Sequence, residues 1–201
     1  MHFQFSKNRV EAFSDGIFAI IITLLVLEIK VPHLNENPSA IELMQSLLAL
    51  FPKFSGWIIS FFTVAVIWVN HHRIFKQFKQ LDNGIFWWNA VLLLWTSFIP
   101  FPTAVMGDYP NNQTSIVLYG MVMALMAVSF TLMRMYALRK GNVLEDEVNL
   151  AAFRKGTMLS LVFGPLMYLT GIVVGFIHPY LAFAVYLGIP VYFIFSENST
   201  N

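Results

Sequence analysis

Six stretches of this chain are apolar for about 20 residues or nearly so, and that feature leaves few choices of fold. A helix needs about 20 residues at 1.5 Å each to cross the hydrocarbon of a bilayer. Inside hydrocarbon every backbone amide must bond within its own segment or sheet, which favours helices. The candidate spans are residues 10–29, 52–70, 85–106, 114–138, 157–177 and the short 180–195. Residues 39–50, SAIELMQSLLAL, are amphipathic and too short to span, so they read as an interfacial helix leading into the second span. The composition agrees: 57% of residues are hydrophobic and only 11% charged, against about 25% charged in soluble domains. The reading is an all-α membrane protein with six transmembrane helices per subunit and one domain over 1–201, with no clear internal repeat.

Loops and charges extend this plan. Residues 30–38 and 106–113 are rich in Pro, Asn and Gly, and His178–Pro179 makes a very tight hairpin. Only 139–155 has room for a small polar excursion, carrying Glu145, Asp146 and Glu147. The first 16 residues do not resemble a signal peptide, so the first helix is expected to stay. With six spans both termini share a side, and that side collects Lys7, Arg9, Arg73, Lys76, Lys79, Arg134, Arg139, Lys140, Arg154 and Lys155. The other side has Lys30 and Lys53. The positive-inside bias therefore places both termini in the cytoplasm of a cell-membrane protein. The outer acids Glu28, Glu36, Glu42 and Asp108 are either ordinary solvated charges or a weak cation-attracting vestibule. A formal net charge of +1 gives no reason to expect a nucleic-acid partner. The absence of cysteine excludes disulfides and thiolate metal sites.

The first span carries Arg9, Ser14 and Asp15 into its early turns. Arg9 lies at the edge and can snorkel. Asp15 lies deeper and needs a partner or a proton. Partners are available at the end of the second span, where Trp68 and His72 share a helix face at i, i+4, and in the third span at Asn89. A hydrogen-bonded cluster of Arg9, Ser14, Asp15 and His72, with Trp68 and Asn89, is expected. It is either a structural clamp or a proton relay, and the relay would make the protein a proton-coupled secondary transporter using Asp15 and His72. Adjacent His71 and His72 diverge by about 100° on a helix, so a metal site there is disfavoured, and no metal is expected. Ile20, Thr23, Leu24 and Leu27 form a second stripe at i, i+3, i+4 and i+7. That stripe is either a packing face or a pore lining, and its pattern does not separate the two. Gly171 and Gly175 form a GxxxG for packing within a subunit or between subunits, and Gly164–Pro165 marks a kink. No GxSxG, HExxH or paired carboxylates occur within the spans, so the chain is not read as an enzyme.

The string Arg9-Val-Glu-Ala-Phe13-Ser14-Asp15 resembles the RxxxFSD signature of the lysosomal potassium channel family, transmembrane protein 175, and its bacterial homologues. The likeness continues in GIFAIIITLLVLEI after the motif, in WVNHHRIF at the end of the second span and in Pro100–Thr103 of the third. The resemblance implies a homotetramer in which first helices line a central pathway for monovalent cations, K+ modestly over Na+, with no cofactor and no TVGYG-type filter. It implies a constriction at Ile20, five positions after the motif aspartate, extended by Leu24 and Leu27. Thr23, eight positions after it, would be the selectivity residue. It assigns Arg9, Phe13, Ser14, Asp15 and His72 to a signature network among helices one to three, with Trp68 and Asn89 joining.

Overall fold

The computed structural model describes residues 6–196, and among these nine α-helices follow one another. They are α1 (Lys7–Leu25), α2 (Ala40–Ala49), α3 (Phe51–Lys76), α4 (Asn83–Ser97), α5 (Pro100–Asp108), α6 (Gln113–Lys140), α7 (Leu150–Leu161), α8 (Met167–Gly175) and α9 (Pro179–Ser196). Among the described residues five helical stretches are long and apolar enough to cross a membrane: Lys7–Glu28, Phe51–Lys76, Asn83–Asp108, Gln113–Lys140 and Leu150–Gly175. The chain is a multi-pass membrane protein. Pro179–Phe195, where a short sixth span is expected from sequence, is an apolar helix shorter than these five.

Local chemistry explains the boundaries. Asn149 caps α7 by accepting the Ala152 amide at 3.0 Å, so this span starts earlier than its apolar run. Pro100 divides the third span into α4 and α5, since proline supplies no amide to the ladder. The break expected at Gly164–Pro165 takes the form of a π turn over Val162–Leu166. The amphipathic segment becomes α2, opened by a reciprocal capping box between Ser39 and Glu42. The Ser39 backbone amide and then its hydroxyl hold the Glu42 carboxyl below its ordinary pKa. No residue of α2 is buried, and Ile41, Met44 and Leu48 are exposed, as an interfacial helix requires.

The centre of the bundle is α6, the most deeply buried of the long helices, which packs against α4, α5, α7, α8 and α9. It is apolar on all sides, as a helix enclosed by others should be. Tyr119, Met123, Met126 and Met133 are fully buried along it. Ser60 of α3 joins Thr103 of α5 at 2.7 Å and Tyr119 of α6 at 3.1 Å, a polar tie in the half of the bundle away from the basic loops. Lys53 pairs with Asp108 across α3 and α5 at that end. At the basic end, the α6–α7 loop folds back on the α3–α4 loop. The Lys79 amide donates to Val143 O and the Glu145 amide to Gln77 O. Lys79 pairs with Asp146 at 2.7 Å, which raises the lysine pKa. The Lys7 ammonium donates to Phe78 O at 2.6 Å, so the start of α1 lies at this same end. The two chain termini lie outside the described residues.

Gly171 and Gly175 face inward within the chain. A Cβ on Gly171 would stand 2.2 Å from the Tyr186 ring, and one on Gly175 would stand 2.8 Å from Ile116. Tyr186 wedges α9 against α6 and donates its hydroxyl to Ile116 O. The GxxxG therefore serves packing inside one subunit. Gly171→Ala is expected to destabilise by about 1–3 kcal/mol through overpacking. A thermal melt of the purified protein should show a lowered midpoint with unchanged oligomer size by light scattering.

Candidate functional site

Helix α1 packs with one face on α3 and α4. Its buried residues are Val10, Ser14, Phe18, Ile21 and Leu25, which fall within one arc of the helix at about 100° per residue. The arc is apolar except for Ser14, and Ser14 is where the helix is fastened. His71 Nε2 lies 2.8 Å from Asn89 Oδ1, and Asn89 Nδ2 donates to Ser14 Oγ at 3.0 Å. Ser14 Oγ donates to Val10 O at 2.8 Å. Since the amide oxygen accepts, the proton sits on His71 Nε2. The result is one directed run of donors from α3 through α4 to the backbone of α1. All three side chains are buried. Phe75 stacks on the His71 ring at 4.1 Å and Phe18 meets it edge-on at 5.4 Å.

This geometry corrects the expected cluster. The histidine that enters is His71; His72 is exposed and stacks on Trp68, 6.3 Å between ring centroids. The reason is helix phase. His71 stands three and four residues before buried Ile74 and Phe75 and seven after buried Val64, so it belongs to the inner face, whereas the i, i+4 pair Trp68 and His72 belongs to the outer one. Asp15 is likewise exposed in the single chain rather than buried, and it accepts a hydrogen bond from Trp68 Nε1 at 2.9 Å. Arg9 and Phe13 are exposed and stand outside the buried run. Arg9 and Ser14 are five residues apart, about 140° around the helix, so one neighbour cannot receive both. Sequence reading missed His71 as a member. The phase of Ile74 and Phe75 was the signal that could have found it.

The opposite arc of α1 carries Ile20, Thr23 and Leu24, and Leu27 follows in the 3-10 turn Val26–Glu28 that continues the helix. All four are exposed, Ile20 at 59% and Leu27 at 58%. Thr23 Oγ1 donates back to Ile20 O at 2.8 Å and lies 3.2 Å from Ala19 O, which leaves its oxygen lone pairs on the open side. Arg9, Phe13 and Gly16 project on this same arc, one to three turns nearer the basic end. Among the described residues no group of three His, Asp or Glu is placed to hold a metal ion.

A family model for the endosomal/lysosomal potassium channel TMEM175 matches residues 9–100, the segment that holds α1, α3 and α4. A potassium channel of Chamaesiphon minutus is 36% identical over 199 residues, 98% of this chain and 97% of its own length. The chain belongs to the TMEM175 family. It shares its fold with the crystal structure of a lysosomal potassium-selective channel TMEM175 homolog from Chamaesiphon minutus, at a TM-score of 0.81 and 35% identity over 97% of this chain and 98% of that one. An endosomal/lysosomal proton channel TMEM175 of Danio rerio is 26% identical over 177 residues, 86% of this chain but 34% of that longer protein. As a TMEM175 member the protein is an ion channel by family and not an enzyme.

The two attachments of α1 differ in burial, and so should their energies. Asn89→Ala leaves both His71 and Ser14 without their buried partner and is expected to cost about 1–3 kcal/mol. Trp68→Phe removes one exposed hydrogen bond and should cost less than about 1 kcal/mol. Thermal melts of the two variants side by side check this order.

Proposed function

We propose that the chain is a potassium-permeable channel, modestly selective over sodium, in which four copies surround a central path lined by α1. The observation that carries this reading is the division of α1 into two faces. One face is tied to α3 and α4 through Ser14, while Ile20, Thr23, Leu24 and Leu27 are left open in the single chain. One helix cannot enclose a path, so a ring of copies with closed symmetry is required. The relatives' names, potassium channel and potassium-selective channel, support the choice of ion.

In this reading the single domain crosses the cell membrane six times, α9 making the short last crossing, with both termini in the cytoplasm beside the basic loops. Rings of Ile20, Leu24 and Leu27 constrict the path and hold back water until the helices separate. The Thr23 ring offers hydroxyl oxygens to a cation that has shed part of its shell. Hydroxyls replace hydration less fully than stacked carbonyls do, so selectivity is modest. Ser14, Asn89 and His71 hold the helix from the buried side and Trp68 with Asp15 from the exposed side, while Arg9 and Phe13 stand on the face nearest the neighbouring copies. K+ is the cargo and no cofactor takes part.

The test is the reversal potential of purified protein in planar bilayers, potassium on one side and sodium on the other, with a pH gradient as a separate arm. A shift toward the potassium equilibrium potential is expected. Flux that saturates and requires the proton gradient would favour a transporter working through Asp15 and His72. Ile20→Asn is expected to raise current severalfold, and Thr23→Val to reduce the potassium preference at similar expression. Unchanged current in the first variant would remove Ile20 from the constriction.

A further inference from the structure

The bundle holds a cavity of about 360 Å³ among α3, α6, α7, the π turn and α9, and no described residue of α1 lines it. Its walls are mostly apolar, with Ile67, Phe130, Phe163 and Phe193 among them. At one end stands Arg134 of α6, six residues before the last residue of the helix, Lys140. That places its Cα about 9 Å inside the basic end of the bundle, a depth from which a guanidinium reaches the headgroup layer.

Arg134 is held but not neutralised. Its Nε donates to Thr157 Oγ1 at 3.1 Å and its Nη2 donates to Phe153 O at 3.1 Å. The Phe153 ring lies under it, 4.5 Å to the centroid. A guanidinium has five N–H donors, so these two bonds leave donors open. Among the described residues no carboxylate lies within 4 Å of it. Arg134 also borders a surface hollow shared with Glu145, Glu147 and Lys76, but neither carboxylate comes within ion-pair distance of it. A charge at membrane depth without a counter-charge is costly. The surroundings are nevertheless shaped for it. Gly156 has no side chain where a Cβ would stand 2.8 Å from Nη2. Helix-disturbing residues also gather here: Gly164 of the π turn lines the cavity beside Ala127, and Pro190, inside α9, lines it too. Proline and π turns widen a helix locally and open space beside it.

We propose that this cavity binds an anionic phospholipid, the phosphodiester on Arg134 and one acyl chain along Phe130, Phe163 and Phe193. The phosphate supplies the counter-charge that the protein lacks there, and the apolar walls take the chain. The site stands on the embedding of the bundle in a membrane and not on the channel reading, so either can fail alone.

The experiment is native mass spectrometry of the full chain, delipidated in neutral detergent and titrated with phosphatidylglycerol, phosphatidylcholine or inorganic phosphate. The expected result is one phosphatidylglycerol retained per subunit in preference to phosphatidylcholine, with inorganic phosphate failing to displace it. Arg134→Gln should weaken that binding by about tenfold, the scale of a lost charge-assisted hydrogen bond, while Lys140→Gln at the exposed end of α6 should not. If Arg134→Gln does not fold, Leu159→Trp decides, since it fills the cavity and leaves the guanidinium in place; it should weaken binding comparably. Equal binding of the two lipids overturns the proposal. So does wild-type affinity in a folded Arg134→Gln, or in Leu159→Trp, or displacement by free phosphate.

Discussion

The run of hydrogen bonds from His71 through Asn89 to Ser14 and Val10 fixes how α1 is turned. An apolar helix against apolar neighbours in a membrane has little to hold its rotation, because lipid competes evenly for every face. One buried polar attachment changes that, since turning the helix would strand a histidine and an amide in hydrocarbon. The attachment is short, and it lies in the half of α1 near Lys7, whose own ammonium is bonded to Phe78 O. Beyond Asp15, α1 is apolar except for Thr23, so the rotation set at Ser14 carries to Ile20 and Leu24 through the helix itself and on to Leu27 in the 3-10 turn that follows. The outward stripe is a consequence of the inward one.

The remainder of the bundle is built as a rigid support for that attachment. His71 and Asn89 belong to α3 and α4, and both helices are tied elsewhere. Serine, threonine and tyrosine hydroxyls join α3, α5 and α6 in the half away from the basic loops. At the basic end Tyr136 donates to Asp82 at 2.7 Å, and Asp82 also caps α4 through the Ile85 amide. A Cβ on Gly84 would collide with the Tyr136 ring, so the tyrosine lies directly across the start of α4. Small residues perform the same service at α8 and α9, where Gly171 admits Tyr186. The Asp82–Tyr136 contact at its start and close packing on α6 leave α4 little freedom, and Asn89 with it.

Much of this was legible in the residues, for identifiable reasons. Long apolar runs fix the crossings because hydrocarbon thickness fixes their length, and the short last run is short in the structure too. Ser39 and Glu42 announce the start of α2 by a spacing that has one common geometry. The partners of α1 were harder to read. Residue type drew attention to His72 and Asp15, but rotation about α3 decides which histidine turns inward, and the phase is carried by Val64, Ile74 and Phe75 rather than by polar residues. The tie among Ser60, Thr103 and Tyr119 had no sequence signal, since the three lie 43 and 59 residues apart. Arg134 looked like one more positive charge at the basic end; its neighbours Phe153, Gly156 and Thr157 come from α7 and meet it only in the folded chain.

The central claim is that the face of α1 opposite Ser14 lines the ion path, and the chain's lack of cysteine makes a direct measurement clean. Single cysteines at positions 20, 23, 24 and 27 would be exposed to a membrane-impermeant thiol reagent while bilayer current is recorded, with a cysteine at Val173, exposed on α8, as the reference. The account predicts that modification along the α1 stripe cuts the current and that modification at 173 leaves it alone. Current that persists after all four α1 positions are modified would place the path elsewhere.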